Sequence, residues 1–223
     1  MTAVHQHGAP PALAPAGKTP AWRLLLTLAI AGAAAGLLVV TVYRLTLPTI
    51  QMYAGLKADA AVREVLKAPV RWDTLYLVKG ALVATVPEGA EPRDLPKAFV
   101  GFDQDGKRLG VAVTAEGPGF QELMSLMIGF DPATGALLGI KVLDEKETPG
   151  LGDKIENDRS FLAQFVARVA PVTGTRTKPA DGTSQVQTIT GATISSRAVI
   201  RIVNGAVERW RPLVQGFERG AAR

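Results

Sequence analysis

The chain contains no cysteine. That removes disulfides, thiolate nucleophiles, and Cys-ligated zinc or iron–sulfur centres together. Its only histidines, His5 and His7, lie in an Ala/Pro-rich leader. Whatever follows therefore has no imidazole for acid–base work or metal ligation, which leaves no basis for a hydrolase triad, a haem site or a conventional transition-metal site. Like charges form no block, and no basic stripe with interleaved aromatics occurs. The net charge is +5, two units of which come from Lys18 and Arg23, so no nucleic-acid partner is expected. Internal repeats are absent, as is a G-x-G-x-x-G fingerprint in a βαβ setting.

What is present begins with an apolar run. From Leu24 to Tyr43 no residue is charged, and as a helix the run spans about 30 Å, the hydrocarbon thickness of a bilayer. A cleavable signal peptide would have a shorter apolar region ending at small residues. Here the small residues sit mid-segment and Leu37-Leu38-Val39-Val40 continues after them, so the run reads as an uncleaved anchor. Lys18 and Arg23 precede it while Arg44, Lys57 and Arg63 follow, so local positive charge leaves its orientation open. Within it, Gly32-Ala33-Ala34-Ala35-Gly36 is either a small-xxx-small helix-contact pattern or an Ala-rich lipid-facing stretch.

The expected organisation is a disordered tail over 1–21, a transmembrane helix over 22–44 and a folded domain over 45–223. Pro48 is expected to interrupt the anchor, after which Met52 to Leu66 read as a separate amphipathic helix with Leu56, Val62, Val65 and Leu66 apolar. Beyond Pro69 the pattern is mixed. Lys97–Asp103 and Arg108–Ala115 flank an Asp105-Gly106 turn, a strong hairpin signal. Leu123–Phe130 and Ala136–Leu143 flank Asp131-Pro132-Ala133-Thr134-Gly135, a second one. Gly117-Pro118-Gly119 between the two reads as a turn or a close ligand approach. Phe161–Val169 predicts a short helix capped by Asn157, Asp158 or Ser160, and Val186–Ile189 a last strand. Ala198, Ile202, Ala206 and Trp210, with Val199, Val203 and Val207 alongside, give a core-facing stripe on a C-terminal helix. The fold class is therefore α+β, with one N-terminal transmembrane helix, antiparallel hairpins and a C-terminal helix.

Two loops carry candidate chemistry. Thr190-Gly191-Ala192-Thr193 stands where the last helix begins. It is either an ordinary hydroxyl cap or an anion site, since the first turn offers unpaired N–H groups and the positive end of the dipole. Arg197, four residues on, is either a solvated side chain or a phosphate partner on the same face. Glu147-Thr148-Pro149-Gly150-Leu151-Gly152 is either a plain type II turn or a loop that shows backbone groups and one apolar side chain to a ring.

Taken with Gly117-Pro118-Gly119-Phe120 and a preceding anchor, these segments resemble the FMN-binding G subunit of Rnf-type ion-translocating electron-transport complexes. Asp153-Lys154-Ile155-Glu156 looks more like that subunit than the related C subunit of the sodium-pumping NADH:quinone reductase. The resemblance implies FMN held covalently by a phosphoester on Thr193, attached after folding by a flavin transferase. It implies cofactor contacts at Thr190, Gly191, Ala192, Glu147, Thr148, Gly150, Leu151 and Arg197, with no metal and no catalytic residue of the chain's own. It also implies a single-pass inner-membrane subunit with a cytoplasmic tail and a periplasmic flavin domain. Such a subunit relays electrons among the other membrane and redox subunits of a redox-driven ion pump. The C subunit, or a membrane-anchored flavin-binding sensor or assembly module, is the alternative. The family often has His shortly before its Glu-Thr-Pro, where this chain has Asp144-Glu145-Lys146, so a proton-handling role there has no counterpart.

Overall fold

The computed structural model describes residues 20–92 and 95–221. Most of the tail expected over 1–21 lies outside the described residues. The chain divides into two compact units, Met1–Met52 and Tyr53–Arg223.

In the first unit the described chain is helical from Ala21. It holds an 18-residue window of mean hydropathy 2.4, none of it buried, which is consistent with a membrane anchor. The hydroxyls of Thr27, Thr41 and Thr46 donate back to the carbonyls of Leu24, Leu37 and Val42 at 2.7–2.9 Å. Polar groups on an otherwise apolar helix are thereby satisfied within it. The break expected at Pro48 does not occur: helix α1 runs from Ala21 to Val65 with Pro48 inside. Pro removes only the one N–H that would reach back a turn, and regular helix resumes on both sides.

In the second unit, six antiparallel strands form one sheet in the order β2-β1-β3-β4-β5-β6. They are β1 (Arg71–Val78), β2 (Ala81–Val83), β3 (Lys97–Phe102), β4 (Arg108–Pro118), β5 (Leu123–Phe130) and β6 (Leu137–Asp144). Both expected hairpins are present. Gly106 takes φ 75° while Asp103 Oδ1 accepts from the N–H groups of Asp105 and Lys107. Gly117 and Pro118 are not turn residues but the end of β4, opposite Met124 and Leu123. The turn itself closes with Gly119 N–H donating to Glu122 O at 2.8 Å. β1 and β2 had no sequence signal.

Both sheet faces are covered. On one, Val111, Val113, Leu126, Ile128 and Phe130 pack with α4 (Thr193–Ala221), whose Ala198, Val199, Ile202, Val203, Ala206, Val207 and Trp210 are all buried as the stripe requires. On the other, Ala61, Val62, Val65 and Leu66 pack on Phe99, Ala112 and Met127. Val65 can approach only because Gly129 has no Cβ; one there would stand 2.7 Å from Val65 O.

Between β6 and α4 lie α2 (Lys154–Asn157), α3 (Arg159–Ala163) and a parallel pair, β7 (Thr173–Thr175) and β8 (Gln185–Gln187). The helix expected over Phe161–Val169 stops early because Val169 bridges Ala136 beside β6, so edge pairing takes the residues that would have continued it. The last strand falls at Gln185–Gln187 rather than Val186–Ile189.

Candidate functional site

Three separated loops converge on the first turn of α4. Glu147 joins them: it is only 6% exposed. Its Oε1 accepts from the Phe120 N–H at 2.7 Å, and its Oε2 accepts from the Ser195 hydroxyl at 2.8 Å. Glycines let the loops close around this carboxylate. A Cβ on Gly119 would collide with Glu147 Oε1, and one on Gly152 would stand 2.7 Å from Glu147 Cβ and 3.0 Å from Ser195 Oγ. Farther along α4, Arg201 donates to Pro118 O at 2.7 Å, and Ile202 fills the space a side chain at Gly117 would need.

The Pro-Gly loop is a turn in which Thr148 O accepts from the N–H groups of Leu151 and Gly152 at 3.1 and 3.0 Å. Gly150 sits at φ 78° with open space around it. The Thr148 hydroxyl accepts from Gln121 Nε2 at 2.7 Å, and Lys146 pairs with Glu122 at 2.9 Å, so loop and hairpin end are tied twice more.

Leu151 reaches the second loop. Its Cδ2 lies 3.6 Å from where Gly191, at φ 85°, would carry a Cβ. Thr190 and Gly191 are exposed, whereas Ala192 is buried and its carbonyl receives both the N–H and the hydroxyl of Ser196. The Ser196 hydroxyl in turn accepts from Ile189 N–H at 3.0 Å. The helix start is therefore held by Ser196, and Thr193 is the first helical residue rather than a side-chain cap. Its half-buried hydroxyl makes no hydrogen bond among the described residues. Ile194 and Leu151 are exposed at 59% and 49%, and Arg197 is exposed one turn beyond Thr193.

The structure thus brings Glu147, Thr148, Gly150 and Leu151 together with Thr190–Thr193, while Arg197 lies one turn along α4 with its Cγ 3.9 Å from where a Cβ at Gly174 would stand. Phe120 entered the sequence reading only as part of the resembling Gly117–Phe120 segment, and Ser195 and Gln121 were given no role there. Ser195 and Ser196 could have been noticed as polar residues on the apolar side of the α4 stripe. Among the described residues no group of three His, Asp or Glu side chains could hold a metal. Grooves lie elsewhere: one of about 740 Å³ beside Glu64 and Glu156, another of about 600 Å³ beside Lys97 and Arg209. The loops around Thr193 form an exposed, partly apolar surface instead.

Residues 119–208 match the FMN-binding domain family. The G subunit of the ion-translocating oxidoreductase complex of Escherichia coli (strain K12) is 30% identical over 190 residues, 81% of this chain and 86% of that one. The G subunit of the Na(+)-translocating ferredoxin:NAD(+) oxidoreductase complex of Acetobacterium woodii is 28% identical over 193 residues, 85% and 90% of the two chains. Among solved structures, that of Shewanella oneidensis NqrC superposes with a TM-score of 0.53 at 19% identity, over 68% of this chain and 82% of that one, a likeness of fold. With the segments around Glu147 inside the matched FMN-binding region and similarity to its relatives over most of their length, the chain belongs to the family of G subunits of ion-translocating oxidoreductase complexes.

Proposed function

We propose that this chain is a single-pass membrane flavoprotein that carries FMN as a phosphoester on Thr193 and relays electrons within a redox-driven ion pump. The observation that carries the reading is the Thr193 hydroxyl at the start of α4, which has no hydrogen-bond partner among the described residues, with exposed Ile194 next to it in the chain and exposed Leu151 against Gly191. These residues suit the cofactor's parts: a hydroxyl to esterify, a cation for the phosphate and apolar side chains for a ring.

Bound FMN supplies one- and two-electron transfer, and the protein supplies anchoring, orientation and electrostatics. Thr193 Oγ1 would hold the phosphoryl group, and the first turn of α4 would stabilise the remaining negative charge by about 0.3–1 kcal/mol through the helix dipole. Arg197 supplies a countercharge one turn on. Exposed Leu151 and Ile194 would offer apolar cover to the ring, and Thr148, Gly150, Thr190 and Gly191 would supply backbone groups for it. Attachment needs a flavin transferase, and a tether keeps the flavin at its site where dilution would remove it. That favours a periplasmic domain with the tail in the cytoplasm. The Acetobacterium relative belongs to a ferredoxin:NAD(+) oxidoreductase complex, which favours ferredoxin and NAD(+) as the terminal carriers here, with the other membrane and redox subunits as partners. Likeness to the quinone-reductase C subunit is one of fold, at 19% identity, whereas the relatives at 28–30% identity are G subunits.

The test is expression with a flavin transferase in a membrane-bearing host, followed by denaturing electrophoresis under ultraviolet light. Wild type should give a fluorescent band and a matching mass gain, and Thr193→Val neither. Equal fluorescence in Thr193→Val would overturn the attachment.

A further inference from the structure

We infer that Glu147 is a positioning residue: it clamps the first turn of α4 so that Thr193 is presented to the flavin transferase in one geometry. This rests on the flavin reading of Thr193 and extends it to a residue that does not itself touch the reacting atoms.

Glu147 is nearly buried, and each of its carboxylate oxygens is taken by a donor from a different part of the chain, Phe120 27 residues before it and Ser195 48 residues after it. A buried carboxylate survives only where such donors replace water. Two bonds from one rigid group fix the separation between the hairpin end and α4. Glu147 directly precedes the turn in which Thr148 O accepts from Leu151 and Gly152, so the clamp and the loop that carries Leu151 are contiguous. Ser195 is two residues beyond Thr193 in the same helical turn, and its hydroxyl is held at 2.8 Å. Any rotation of that turn would carry the Thr193 hydroxyl with it. Gly119 and Gly152 close on the carboxylate with no room for a Cβ, so the clamp has little freedom to shift.

In the transfer, Thr193 Oγ1 forms a bond to the flavin-side phosphorus of a flavin dinucleotide donor. The diphosphate linkage breaks with release of a nucleoside monophosphate, and the hydroxyl proton passes to the transferase. Glu147 takes no part in these bonds; it acts through Ser195.

The experiment uses the full chain in detergent with a purified flavin transferase and a flavin dinucleotide. It compares initial flavinylation rates of wild type, Thr193→Val, Glu147→Ala, Glu147→Gln and Ser195→Ala below their melting temperatures. A mispositioned acceptor should lower the rate in Glu147→Ala roughly tenfold or more. Ser195→Ala should show a smaller loss, because Phe120 remains held. Glu147→Gln should recover most of the rate, since its amide can accept from Phe120 N–H and donate to Ser195 Oγ. Folded Glu147→Ala and Ser195→Ala proteins that flavinylate at the wild-type rate would overturn the clamp. So would Glu147→Gln as slow as Glu147→Ala beside a Ser195→Ala at the wild-type rate, which would make charge the cause. If Glu147→Ala does not fold, Ser195→Ala decides alone, since it deletes one hydroxyl. A wild type that takes up no flavin, or flavin on Thr193→Val, would instead overturn the flavin reading on which this one stands.

Discussion

Gly150 and Gly152 stand in one loop for different reasons. Gly150 is needed for its backbone, at φ 78° with nothing near it, whereas Gly152 is needed for its emptiness, with Glu147 and Ser195 where a Cβ would go. Gly152→Ala should therefore destabilise the domain by about 1–3 kcal/mol through overpacking. Because it presses on the carboxylate that Ser195 holds, its cost should not add to that of Ser195→Ala. Urea denaturation of the two single variants and the double would show this, and additivity within about 0.5 kcal/mol would mean the sites are independent. At this scale the sequence displayed the motif residues but not their junction. Glycine, proline and threonine signatures are local, while the bonds from Glu147 to Phe120 and Ser195 join residues far apart in sequence. Glu147 therefore reads from sequence as one more residue of a flavin loop, and only tertiary contact reveals that its carboxylate is already engaged.

Elements were legible where a local signal set them. Asp105-Gly106 and the Asp131–Gly135 turn announce their hairpins because Asp side chains and φ-permissive glycines act within a few residues. β1 was not legible, since along Arg71-Trp72-Asp73-Thr74-Leu75 only Leu75 is buried, which is too weak an alternation. Pro48 suggests a break, yet it lies inside α1. At α3 the sequence offered three caps and the structure uses Asp158, whose carboxylate accepts from the Ser160 hydroxyl and from the N–H groups of Ser160 and Phe161. The Ser160 hydroxyl foremost, with those N–H groups and Lys154, outweighs partial burial and holds the Asp158 carboxyl below its ordinary 3.8. A carboxyl with a lowered folded-state pKa contributes stability that is complete above its unfolded value and fades as pH falls through the folded one. Asp158→Ala should therefore cost about 1 kcal/mol at pH 7. The gap between wild type and variant should narrow only below about pH 4, the ordinary range of a carboxyl. Thermal melts from neutral pH into acid would check this, and a gap that stayed constant into acid would rule out the ionised cap.

On the scale of the whole molecule, the compact unit that holds the site begins at Tyr53, partway along α1. The reason is packing: Val62, Val65 and Leu66 are at most 1% exposed, against Phe99, Ala112 and Met127 on the sheet face away from α4. Full burial of three such side chains contributes about 5–9 kcal/mol, comparable with the whole stability of a domain, roughly 5–15 kcal/mol. The amphipathic pattern of Met52–Leu66 was visible in the sequence, but its seat was not: a Cβ on Gly101 would meet Leu66 and one on Gly129 or Gly139 would meet Val65, and these glycines come from three different strands. A chain beginning at Tyr53 should fold cooperatively, stay in solution and accept flavin from a transferase without any membrane. A chain beginning at Arg71 should lose that sheet cover, bind an apolar dye and aggregate. Solubility, a urea transition and ultraviolet fluorescence of the two truncations would separate them. Equal behaviour would mean that the end of α1 adds nothing to the domain, whereas the expected difference would make Tyr53–Leu66 part of the flavin carrier and leave only the exposed apolar stretch before it free to serve the membrane.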